Sequence, residues 1–169
     1  MRHVLLSRAV AGLLFLSLLL PTAVEAAEPQ KIAIFDIELL NTSLEKTTDA
    51  ENNRLTMMGD MLRDYYRANP GFEVVDTPEL RAAGRQNNLQ SCGGCDTRIA
   101  GEAGADLSMT GVVQKVSNLI LSFTLYIRST ETGKLVEVAG TDIRGNTDES
   151  WQHGIKWLAR NRLHVLPAK

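Results

Sequence analysis

The stretch from Ala105 to Thr130, "ADLSMTGVVQKVSNLILSFTLYIRST", decides the fold. Side chains alternate along a strand, so Leu119, Leu121, Phe123, Leu125 and Ile127 share one face while Ser122, Thr124, Tyr126 and Arg128 share the other. Two long strands follow, Ala105 to Val116 and Asn118 to Thr130, with one face in a core and the other meeting something polar. "VSNLILSF" is apolar enough for an exposed binding edge, although long apolar strands more often form core. Thr130-Glu-Thr-Gly133 is a tight connection to a third strand, Lys134 to Ile143, which makes an antiparallel hairpin.

Upstream, "KIAIFDIELL" from Lys31 to Leu40 reads as one strand on its β-branched and aromatic residues. From Asp49 to Ala68, Leu55, Met58, Leu62 and Tyr65 recur at helical spacing, and Asn69-Pro-Gly71 ends the helix. "FEVVD" from Phe72 is a short strand, Thr77-Pro78 cap the helix "ELRAAGRQ", and "CDTRIAGEAG" is a further short helix closed by Gly104. Downstream, Asn146 to Glu149 open a last helix with Trp151, Ile155 and Leu158 on one face. The expected class is α/β (α+β), a mixed sheet of about five strands with helices packed on it in the order β-α-β-α-α-β-β-β-α.

The beginning of the 169-residue chain reads differently. Arg2, His3 and Arg8 precede an apolar run from Ala9 to Leu20, and Val24-Glu-Ala26 offers small residues for cleavage, the pattern of a secretory signal peptide. The run is too short for a hydrocarbon core of about 30 Å. The expected organisation is a signal peptide over residues 1–26 and a single domain over 27–169, periplasmic, without stable membrane insertion after cleavage. No cysteine lies near the cut, so a lipid anchor is not expected. Without Arg2, Arg8 and Glu25 the chain keeps 16 basic and 19 acidic side chains, a balance that does not suit nucleic-acid binding.

The only cysteines, Cys92 and Cys95, stand in "NLQSCGGCDTR". A Cys-x-x-Cys pair at a helix N-terminus can hold a reactive thiolate. A polar segment, Arg85 to Gln90, occupies the place where a thioredoxin site has a core strand, and Gly93-Gly94 loosen the loop. A structural disulfide in an oxidising compartment is the favoured reading, with redox exchange as the alternative. Zinc commonly takes four ligands; His153 and His164 would stand about 16 Å apart along a helix, so no metal site and no cofactor are expected.

Asp142, Arg144, Asp148 and Glu149 cluster in "DIRGNTDES" and could form a ligand surface, but Arg144 breaks the calcium-loop pattern, and capping by Thr147 or Asp148 explains the acids. Trp151 and Trp157 are about 240° apart around a helix, so they cannot share its inner face. Trp151 belongs to the apolar stripe, and Trp157 is the expected exposed contact residue.

The element order with "KIAIFDIEL", "RLTMMGDMLRDYY", "FEVVD" and "GADLSMTGVVQKVSN" resembles the N-terminal domain of the translocation protein TolB and the α/β domain of the curli secretion protein CsgG. Three blocks, "NLQSCGGCD" from Asn88, "VQKVSNLIL" from Val113 and "DIRGNTDESW" from Asp142, are also similar to a family of small secreted proteobacterial proteins of unknown function. The resemblance implies an assembly or interaction module: an exported envelope accessory without catalysis of its own, bound to an unknown periplasmic or envelope protein. A thiol-disulfide protein using Cys92 and Cys95, and a small-ligand or metal carrier, are the alternatives.

Overall fold

A computed structural model describes residues 28–163. The expected leader over residues 1–26 and His164 lie outside them. The elements are β1 (Gln30–Ile34), β2 (Glu38–Asn41), α1 (Asp49–Arg67), β3 (Phe72–Val75), α2 (Pro78–Gln86), α3 (Cys95–Glu102), β4 (Leu107–Ser117), β5 (Ile120–Ser129), β6 (Leu135–Arg144) and α4 (Asp148–Asn161). The strands form one mixed sheet in the order β3-β1-β4-β5-β6, with β2 also paired to β4. β1 pairs in parallel with β3 and β4, β2 pairs in parallel with β4, and β5 is antiparallel to both β4 and β6. The expected fold class is thus observed, with six strands in place of about five.

The extra strand arises inside "KIAIFDIELL". Ile34 pairs with Met109 and Glu38 with Val112, so the first segment advances four residues while β4 advances three. One surplus residue reverses which face each later side chain takes. Ile32 and Ile34 face one core with Ile37, whereas Ala33 and Phe35 face a second core on the other side. Asp36 sits at the slip, where its side chain meets Arg63 and Arg85.

Helices cover both faces. α1 and α4 pack on the larger core, with Leu55, Met58, Leu62, Trp151, Ile155 and Leu158 against Phe123, Leu125 and Ile127. The ring centroids of Phe123 and Trp151 are 5.4 Å apart. Tyr66, not Tyr65, completes the stripe of α1; it is buried and meets Phe72 edge-on. α2 and α3 bury Leu80, Ile99 and Ala100 against Ala33 and Phe35.

Local chemistry sets the helix starts. Thr48 and Glu51 form a reciprocal capping box on α1, and Thr77 and Thr147 cap α2 and α4. Gly154 lets α4 approach the sheet, since a Cβ there would lie 2.5 Å from Ile143 and 2.9 Å from Phe123. The apolar segment "VSNLILSF" divides: Leu121 and Phe123 are core, while Val116, Leu119 and Ile120 are exposed around the β4–β5 turn.

Candidate functional site

β6 ends the sheet, and among the described residues no strand pairs with its outer side. An edge of this kind presents unpaired backbone N–H and C=O groups. Gly154 brings α4 down beside β6, and the two elements enclose an open groove of about 390 Å³ lined by Thr141, Arg144, His153 and Trp157. Trp157 is 45% exposed, and the Arg162 guanidinium lies 5.7 Å from its ring centroid. Trp151, six residues earlier, is fully buried. The groove therefore joins an exposed aromatic side chain, two cationic or ionisable ones and a strand edge.

The other residues of "DIRGNTDES" do not converge on it. Asp142 also lines the groove but accepts a hydrogen bond from Ser122 Oγ across the β5–β6 pair. Asp148 accepts from Arg54 at 2.6 Å, tying α4 to α1, and Glu149 lies in the first turn of α4. Thr147 supplies the cap by accepting from the Ser150 N–H. Acids in that turn complement the helix dipole. Among the described residues no group of three or more His, Cys, Asp or Glu could hold a metal ion.

A polar network behind this flank escaped the sequence reading. Lys115 occupies the inward phase of β4 after Leu107, Met109 and Val113, and it is 1% exposed. Its Nζ lies 2.7 Å from Glu51, which is fully buried, and 3.1 Å from Glu45. Asn146 donates to Glu51 and Asn118, while its Oδ1 accepts from Arg54 and from Trp151 Nε1. The blocks "VQKVSN" and "DIRGNTDESW" thus meet at the start of α1. The only signal in the sequence was a lysine on an apolar phase.

Burial acts to raise the Glu51 pKa, but hydrogen bonds from Lys115, the Thr48 N–H and Asn146 outweigh it and hold the carboxyl at about 2. A depressed carboxylate pKa stabilises the fold above the unfolded value and loses that contribution as the group protonates. The stability that Glu51 supplies is complete above about pH 4.5 and falls as pH drops through about 2. In denaturant titrations across this range, Glu51→Gln is expected to flatten the acid limb. An unchanged acid dependence would show that the Glu51 carboxylate contributes nothing to stability in this range.

A second cluster fixes the slip between β1 and β2. Arg63, fully buried on α1, donates through Nε and Nη2 to the Ile34 carbonyl, through Nη2 to Asp36 and through Nη1 to Asp60. Asp76 accepts from Arg67 and Arg81. The hydrogen bond from Arg81 leads in holding the Asp76 carboxyl below its usual range. Burial opposes ionisation of Asp36, but Arg63 and then Arg85 prevail and lower its pKa.

Cys92 and Cys95 form a disulfide between α2 and α3, with Cα atoms 5.6 Å apart. Gly94, at φ 96°, starts α3, and the Cys95 N–H points at Cys92 Sγ, 3.2 Å away. Beneath them Asp96 is buried and accepts from Ser108 Oγ, with the Arg128 guanidinium 3.6 Å away. Closing so short a loop restricts the unfolded chain little, so the bond contributes about 2 kcal/mol. Reduction, or Cys92→Ser with Cys95→Ser, is expected to lower the unfolding free energy by that amount while leaving far-UV dichroism unchanged. Global unfolding on reduction would contradict the local staple.

The sequence matches the family DUF3280, described as "Protein of unknown function (DUF2380)", over residues 30–163. No curated protein sequence matches it. The fold is similar to the LpoB C-terminal domain from Salmonella enterica, with a TM-score of 0.51 and 15% identity over 72% of this chain and 87% of that one. Lower similarities are to lipoprotein GNA1162 from Neisseria meningitidis, with a TM-score of 0.48 and 15% identity over 71% of this chain and 84% of that one, and to the PelC dodecamer from Paraburkholderia phytofirmans, with a TM-score of 0.47 and 16% identity over 85% and 92%. The fold likeness runs to an LpoB-type domain and not to TolB or CsgG specifically.

Proposed function

The chain belongs to the DUF3280 family, and from the geometry of its β6–α4 flank we propose that it is an exported envelope accessory, without catalysis of its own, that captures an extended segment of a partner protein. The observation that carries this reading is the outer edge of β6 lying beside a groove that exposes Trp157. An added strand satisfies the edge groups by main-chain hydrogen bonds, and its alternate side chains enter the groove. Trp157 supplies a rigid anchor of the type that dominates interface energies. Export rests on the signal-peptide pattern, and among the described residues no helix is long and apolar enough to cross a membrane.

Immobilised protein tests the reading against periplasmic extract. Trp157→Ala and Arg144→Glu are each expected to lower recovery of the retained partner at least tenfold, while Glu79→Ala, on the exposed side of α2, leaves it intact. Equal recovery with all three variants overturns the proposal. One observation favours a second reading, thiol-disulfide exchange: the Cys95 N–H aimed at Cys92 Sγ would stabilise a thiolate on Cys92. A glutathione redox titration separates the two, because a structural bond stays oxidised where an oxidoreductase pair is reduced.

A further inference from the structure

On the opposite side of the sheet from α1 and α4, β2, the end of α2 and the connection to α3 enclose a groove of about 490 Å³. Its apolar floor is Leu40 and Val112, and its polar wall includes Asn87, Asn88 and Gln90. The volume lies in the range of small-molecule sites. Glu38 stands at its base. Oε1 accepts the Leu89 N–H at 3.0 Å, whereas Oε2 is shielded from solvent and has no hydrogen-bond partner. Nearby on the same face of β4, Thr110 Oγ1 is also buried without a partner. Buried polar atoms are nearly always satisfied, and an unmatched carboxylate oxygen is costly.

The surrounding amides make the groove rich in acceptors. Asn87 spends its nitrogen on the Ala83 carbonyl, which leaves Oδ1 to accept. Gln90 Nε2 reaches the Gly111 carbonyl at 3.5 Å, the outer limit of a hydrogen bond, so this exposed side chain is weakly held and its Oε1 is left to accept. Arg85, the cationic residue among those lining the groove, pairs with Asp36 at 3.1 Å. One carboxylate oxygen without a hydrogen-bond partner and several amide oxygens, beside a guanidinium already paired with Asp36, match a group that carries positive charge and several donors.

We infer that this groove binds the primary ammonium group of a small polar ligand, with Glu38 Oε2 as its counter-ion and the amide oxygens of Asn87 and Gln90 as its further acceptors. An ammonium offers three donors and no acceptor. The ligand class is an amine, carried on an amino sugar or on a polyamine.

Amide chemical-shift titration of the intact domain tests this with three probes: a glucosamine trisaccharide, its fully N-acetylated counterpart, and spermidine. The glucosamine trisaccharide is expected to shift Asn87, Asn88 and Leu89 saturably, and acetylation, which removes the charge, to weaken binding at least tenfold. Spermidine distinguishes the carrier: binding of both amines assigns the site to the ammonium alone, and binding of the sugar only assigns it to an amino sugar. Glu38→Gln keeps the acceptor for Leu89 and should fold with unchanged thermal stability, yet lose at least tenfold in affinity. Trp157→Ala should leave the titration unchanged, so this site and the β6–α4 flank fail independently. Equal binding of the acetylated sugar, an unaffected Glu38→Gln variant, or no saturable shift with either amine overturns the inference.

Discussion

Lys115→Met is expected to lower the unfolding free energy by about 3–5 kcal/mol, the cost of leaving one member of a buried ion pair without its partner. The side chain it replaces is 1% exposed, and Glu51 beside it is fully buried. Methionine fills a similar volume, so packing changes little and the loss reports the stranded carboxylate. Adding Glu51→Gln should restore part of it, because glutamine keeps the capping-box acceptor for the Thr48 N–H without a charge. The acid limb of stability should flatten in Lys115→Met as well, since Lys115 leads the hydrogen bonds that hold the Glu51 carboxyl at about 2. A loss below about 1 kcal/mol would show that the pair adds nothing beyond its desolvation cost.

Arg63→Met should cost a similar amount, about 3–5 kcal/mol, through a different mechanism. One guanidinium supports the Ile34 carbonyl and two carboxylates where the β1–β2 register slips. Without it the carbonyl loses two donors and the slip loses its clamp. Lysine presents a point charge in place of a planar fork, so Arg63→Lys is expected to recover only part of the stability. Hydrogen exchange should speed most in β1 and β2, adjacent to the lost donors. Uniform destabilisation, with full recovery by lysine, would contradict the clamp.

The parts of the fold that were legible in the sequence are those whose chemistry is local. β5 shows a strict two-residue alternation, Thr77-Pro78 carries a cap and a first-turn proline, and Trp151 and Trp157 separate by helical angle into one buried and one 45% exposed side chain. The split of "KIAIFDIELL" was hidden because both faces of β1 are buried, so its apolar run carries no phase. Only the change from even to odd apolar positions, Ile32 and Ile34 to Ile37 and Leu39, marks the slip.

The pairs that stiffen the molecule were hidden by distance along the chain. Lys115 and Glu51 approach only because β4 and α1 share a core, and Asn146 joins them from the turn before α4. The acids of "DIRGNTDES" were legible as a cluster, but not their division: Asp142 faces Ser122, and Asp148 is taken by Arg54. The block read as helix capping, with a ligand surface as the alternative, supports in large part the joint between α1 and α4.

Site-specific photo-crosslinking in cells reads out capture of a partner at the β6–α4 flank. A photoreactive residue at His153 or Trp157 lies on the groove, whereas one at Glu79 or Arg98 is exposed on the α2–α3 side. One discrete crosslinked species is expected from the two groove positions and none from the other two. Crosslinks of equal yield from both sides, or none from the groove, would contradict capture at that flank.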